Sequence, residues 1–134
     1  MNMEQMQRRC PASRFIGKAF LRDYKFVYDG YSTKWEGAVA NIIKSRSDTV
    51  WGRLFEIDKE CLDNLNFCEG YNKTPKSYDR KNFEIRDESG IKYEAIAYFR
   101  EGRKLGKPSE KYRQTILQGA RDCGLPEEYI KTYL

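Results

Sequence analysis

Leu62-Asp63-Asn64-Leu65-Asn66-Phe67-Cys68-Glu69-Gly70-Tyr71 reads as the last turns of a short amphipathic helix that stops at a glycine. Leu62 and Leu65 fall three apart on one face, with Cys61 and Cys68 beside them, and Asp58 upstream suits the N-cap. Gly70 is the usual residue for the left-handed position that ends a helix. The odd member is Glu69. A carboxylate in the final turn meets the partial negative end of the helix dipole, which disfavours its ionised form. Held there beside apolar and aromatic neighbours, such an acid acquires a raised pKa and can move protons near neutral pH. The plainer alternative is a solvated acid at a frayed helix end, and this stretch alone does not choose between the two.

Upstream of this helix the chain is strand-rich. Residues 15–21 and 24–28 cluster or alternate apolar side chains, and Asp29-Gly30 carries a turn signal. A strand is expected at 35–43, where Gly37, Ala38 and Ala40 would let another backbone or a ligand come close. A further strand is expected at 49–57, after a break at 45–48. Val50 and Leu54 lie on one of its faces and Trp51, Phe55 and Ile57 on the other, which predicts a central strand covered on both sides. Before all of these, Met3, Met6 and Cys10 recur at helical spacing from the start of the chain, and Pro11 ends that run.

Downstream, a turn-rich connection at 72–77 leads to two strands, 78–86 and 91–99, joined by the polar loop Asp87-Glu88-Ser89-Gly90. Ile91, Tyr93, Ala95, Ala97 and Phe99 share one face of the second, while Ile96 and Tyr98 look the other way. Ser109 then caps a helix carrying Tyr112, Ile116, Ala120 and Cys123 on one stripe, closed by Gly124. Pro126 opens a final short helix with Glu127 and Glu128 in its first turn. Helices and strands do not alternate regularly. The expected architecture is therefore a single α+β domain over 1–134, with a mixed, barrel-like sheet and flanking helices.

Composition narrows the chemistry. Of the 134 residues 40% are hydrophobic, with 10 Tyr, 7 Phe and 2 Trp, which suits a folded domain rather than a disordered one. No apolar run reaches the roughly 20 residues of a membrane span, and the N-terminus lacks the apolar core of a secretion signal, so a cytoplasmic location is the default. Cys10, Cys61, Cys68 and Cys123 lack paired metal-type spacing and are expected to be buried and reduced. There is no histidine, which excludes Ser-His-Asp and Cys-His catalysis and every histidine-bearing metal site. Acid–base work falls to Glu, Asp, Tyr, Lys or Cys. The net charge of +5 concentrates at Arg100, Arg103, Lys104, Lys107, Lys111 and Arg113. No aromatic ladder interleaves these residues, so a solvated loop is expected rather than a nucleic-acid surface.

Together these residues resemble a family, the gamma-glutamylcyclotransferases. The marks are Arg9-Cys10-Pro11, Gly37-Ala38-Val39-Ala40-Asn41-Ile42, Val50-Trp51-Gly52 with Leu54, and Leu62 to Leu65 leading into Glu69-Gly70. They continue through Tyr78, Ala97-Tyr98, Pro108-Ser109 with Tyr112, Gly119-Ala120 and Gly124-Leu125-Pro126. The resemblance runs through essentially the whole chain. The family also begins with a strand and a Tyr-Gly-Ser-Asn loop before the first helix. This chain begins where that loop would end, so the resemblance implies a domain truncated at its N-terminus, or a member without the loop.

The resemblance implies an intramolecular cyclisation that needs no cofactor and no metal. The free α-amine of a γ-glutamyl group attacks its own γ-carbonyl, releasing 5-oxoproline and an amine or amino acid, chemistry shared with lyase-type steps of glutathione metabolism. The nucleophile is already tethered, and well-oriented intramolecular reactions reach effective molarities on the order of 10⁵ M or more. What remains is moving one proton, a task for one carboxylate. By resemblance that group is Glu69. Tyr112, Tyr98 and Tyr78 match aromatic positions that line the family's pocket, as substrate-binding residues or as core tyrosines with satisfied hydroxyls. The implied partner is a small γ-glutamyl molecule, with no nucleic acid and no membrane, and some relatives suggest a homodimer. The alternative function is a non-catalytic binding or scaffold protein of the same fold.

Overall fold

The computed structural model describes residues 3–73 and 78–134, so residues 74–77 of the turn-rich connection lie outside the described residues. Helix α1 (Met3–Arg9) comes first, followed by two long strands, β1 (Arg14–Ser32) and β2 (Gly37–Glu56). Helix α2 (Lys59–Cys68) precedes the hairpin of β3 (Asp79–Asp87) and β4 (Lys92–Phe99), and α3 (Glu110–Asp122) and α4 (Glu127–Tyr133) complete the chain. Local chemistry sets the helix starts as expected. The Asp58 carboxylate accepts from the Cys61 N–H at 2.8 Å, and the Ser109 hydroxyl accepts from the Tyr112 N–H at 3.3 Å.

The strands depart from the sequence reading in their length. The separate runs at 15–21 and 24–28 are one strand, and so are those at 35–43 and 49–57. The apparent breaks are irregularities inside a continuous ladder. The register slips between Arg22 and Tyr24, where Asp23 and the facing Ser47 both adopt positive φ, and the Ser47 N–H donates to the Asp23 carboxylate at 3.2 Å. Asp29-Gly30 is likewise not the hairpin turn. Gly30 takes φ 61° within β1, and the chain reverses later, between Ser32 and Gly37.

The sheet order is β2-β1-β3-β4, and its ladders run antiparallel. The expected α+β domain with a barrel-like sheet and flanking helices is what forms, but the sheet is antiparallel rather than mixed. However, the 49–57 segment is not central: β2 stands at one end of the order. Helices cover one of its two apolar faces. Phe55 and Ile57 pack on a core of Met6, Cys10, Cys61 and Leu65 that joins α1 to α2. Its outer edge is sealed by hydroxyls, the Trp51 N–H donating to Tyr129 and the Ala40 N–H to Tyr112. A second core, Leu117, Ala120 and Ile130, holds α3 to α4.

Asn41 draws β2 towards the end of β4, giving the sheet its barrel-like curl. Its side chain accepts from the Arg100 N–H at 2.9 Å and donates both to the Arg100 carbonyl and to the Asp29 carboxylate, the latter at 2.7 Å. The basic loop after β4 is solvated as expected, with Lys104 and Lys107 exposed, but its backbone is anchored. Gly30 N–H donates to Lys104 O, Gly106 N–H to Tyr28 O and Ala38 N–H to Lys107 O, so the loop is stitched along the β1–β2 hairpin. Gly37 belongs to the same seam, since a Cβ there would stand 2.6 Å from the Ser109 nitrogen. Of the two readings open for its small side chain, another backbone is what comes close.

The four cysteines do not behave alike. Cys10 and Cys61 form a disulfide across the α1–α2 contact, Cys123 is half-buried and Cys68 is exposed. Four buried, reduced thiols is therefore corrected. Residues 51 apart in sequence come within bonding reach only because α1 docks against the first turn of α2.

Candidate active site

Glu69 occupies the C-cap of α2. Gly70 at φ 67° lets the chain turn back, the Tyr71 N–H donating to Asn66 O and the Gly70 N–H to Phe67 O. This closure leaves Glu69 in helical geometry while aiming its side chain away from solvent, so its carboxyl is only 21% exposed. Burial raises its pKa, and Arg9, whose guanidinium stands 3.4 Å from the carboxylate, opposes the rise. The acid is partly buried and paired with a cation, not frayed into water.

All three tyrosines singled out from the sequence gather around it. Tyr112 is pushed up to about 12 and Tyr78 is also raised, in both cases chiefly by burial, and the Glu69 charge adds to each. Tyr98 is likewise pushed up to about 12 by burial, with Glu69 again contributing. Phenols held this high stay protonated near neutrality, so they can orient and donate but not act as bases. Their hydroxyls have distinct partners. Tyr112 accepts from the Ala40 N–H at 2.9 Å and retains its own proton to donate, while Tyr78 donates to the Ala40 carbonyl at 3.0 Å. One residue of β2 thereby fixes two rings. Tyr98 instead donates to Asn66 Oδ1 at 2.5 Å, in the last turn before Glu69, and so ties β4 to the helix end that carries the acid.

Other residues of this site had weaker sequence signals. Arg9 stood inside a quoted motif but pairs with Glu69 only because α1 lies beside α2. Asp29, 1% exposed, was hidden in an apparent turn signal; it is held by Asn41 and its charge reaches Tyr78. Arg103, part of the basic loop, lies 4.8 Å over the Tyr78 ring. An open cleft of about 380 Å³ is lined by Asp79, Phe99, Arg100 and Glu101, none of them Glu69 or one of the three tyrosines. Among the described residues no group of three or more Cys, Asp or Glu side chains is placed to hold a metal ion, and no helix is long and apolar enough to cross a membrane.

The family model described as the AIG2-like family matches residues 49–133, which include α2, Glu69 and all three tyrosines. The chain belongs to the AIG2-like family. Similar proteins include the gamma-glutamylcyclotransferases of Mus musculus and Homo sapiens, each 28% identical over 130 residues, spanning 94% of this chain and 68% of the relative. A solved structure titled gamma-glutamyl cyclotransferase superposes with a TM-score of 0.91 at 26% identity, covering 99% of this chain and 82% of that one. This AIG2-like chain thus has the gamma-glutamylcyclotransferase fold, and the enzyme class expected from its residues agrees with that of its relatives.

Proposed function

We propose that this AIG2-like protein converts a γ-glutamyl amino acid or γ-glutamylamine into 5-oxoproline and the free amine, with Glu69 as the general acid/base. The observation that carries the reading is a partly buried carboxyl of raised pKa among three protonated tyrosines. Glu69 in its ionised form takes a proton from the α-ammonium and passes it to solvent; as the freed amine attacks the γ-carbonyl and closes the five-membered ring, Glu69 takes the second proton from the ring nitrogen. As the tetrahedral centre collapses, the C–N bond to the leaving group breaks and Glu69 returns the proton to the departing nitrogen. Atoms balance without a cofactor, and one residue serves as base and then acid. Tyr112, with its oxygen fixed on the Ala40 N–H, donates towards substrate; Tyr78 walls the pocket; Tyr98 holds the end of α2 in place through Asn66.

The test is 5-oxoproline release from γ-glutamyl-alanine by the wild type and by Glu69→Gln. Loss of a general acid/base costs typically 10²–10⁴-fold in rate. A drop of at least about a hundredfold in kcat is expected, with little change in KM. Equal rates would remove Glu69 from the mechanism, and product from neither protein would favour the non-catalytic alternative.

A further inference from the structure

Resting on the cyclotransferase reading, we propose that Arg103 is a specificity-determining residue: its guanidinium receives the carboxylate of the leaving amino acid. Three features place it there. Arg103 lies over the Tyr78 ring at 4.8 Å, and the Tyr78 hydroxyl is fixed on Ala40, the same residue that fixes Tyr112. The loop that carries it is held by backbone bonds from Lys104, Gly106 and Lys107 to the β1–β2 hairpin, so the cation is presented on a rigid support. Gly30 makes room for its stem: a Cβ there would come within 2.9 Å of Arg103 Cδ, and Gly30 also takes φ +61°.

The chemistry follows from what the leaving group is. Glu69 protonates the departing nitrogen, and Tyr78 lies within reach of the Glu69 charge. In an amino acid the carboxylate is separated from that nitrogen only by the Cα, and Tyr78 feels both the Glu69 charge and the Arg103 guanidinium, so the ring connects the acid to the cation. Arg103 lies over the Tyr78 ring and also hydrogen-bonds to the Tyr78 side chain, and the forked N–H donors of a guanidinium can add a carboxylate to such contacts. A γ-glutamylamine has no carboxylate at that point and forgoes the contact.

The experiment compares γ-glutamyl-alanine with γ-glutamyl-methylamine. In Arg103→Gln the ratio of kcat/KM for the first over the second is expected to fall about tenfold or more, the usual worth of a charge-assisted pair. Arg103→Lys should recover part of it. Taking the ratio removes any general damage from disturbing Tyr78, which lowers both substrates together. The same ratio of dissociation constants, read by calorimetry in Glu69→Gln and in Glu69→Gln/Arg103→Gln, needs no turnover. It therefore decides the role of Arg103 even if the wild type forms no 5-oxoproline. An unchanged ratio in both measurements overturns the proposal.

Discussion

At Glu69 two opposing influences meet in one carboxyl. Burial holds the proton on, and the Arg9 guanidinium favours letting it go. A base must be ionised to act, so kcat/KM rises with pH through the pKa of Glu69. Removing Arg9's charge takes away the influence that lowers that pKa. Arg9→Gln is therefore expected to move the acid limb of the pH–rate profile to higher pH while leaving the plateau much closer to wild type. A limb that stays in place or moves to lower pH would contradict the pairing. The acid drew notice in the sequence because a carboxylate before a helix-ending glycine is chemically odd, and only the family resemblance singled it out from a solvated helix end. Its cation was not legible, since the pair spans 60 residues and depends on how α1 lies beside α2.

At the scale of elements, the clasp between β2 and β4 depends on one side chain. Asn41 is 4% exposed and bonds to Arg100 and to Asp29, itself almost wholly buried. Asn41→Ala loses these bonds and strands the Asp29 carboxylate without its donor, at a cost of about 2–4 kcal/mol. A urea midpoint lowered accordingly, with little change in slope, is the expected readout. The seam at Gly37 makes a second forecast. An added methyl would meet Ser109 and Lys107 backbone rather than a yielding side chain, so Gly37→Ala is expected to cost about 1–3 kcal/mol. Thermal denaturation measures it, and an unaltered midpoint would show that the seam gives. Strand identity was readable from apolar patterning, but strand length was not. The polar residues at 23 and 45–48 look like loop in sequence because nothing local says that two irregularities will face each other across a ladder.

Across the whole molecule, the Cys10–Cys61 disulfide ties the first helix to the one that carries Glu69. For a loop closed across a separation of 51 residues, chain entropy alone gives about 4 kcal/mol of stabilisation. The double variant Cys10→Ser/Cys61→Ser is expected to unfold at a markedly lower urea concentration than the oxidised protein. A dithiol reductant should bring the wild type down to match it. Coincident curves for the oxidised and reduced wild type would show that the crosslink contributes nothing. The expectation of free thiols came from scattered spacing, and spacing cannot report a contact that docking alone creates.

By itself, the sequence determined the local chemistry: which runs are helix or strand, the caps at Asp58 and Ser109, the stop at Gly70, the tyrosines, and a carboxylate in an awkward place. These follow from nearest neighbours, where periodicity and capping act. Only the tertiary structure decided which charges face one another. Arg9 reaches Glu69, Arg103 covers Tyr78, and Ala40 fixes two phenols because the long β1–β2 hairpin brings distant segments together. Electrostatic and hydrogen-bond partners depend on distance through space, and the chain order carries that distance only after it has folded.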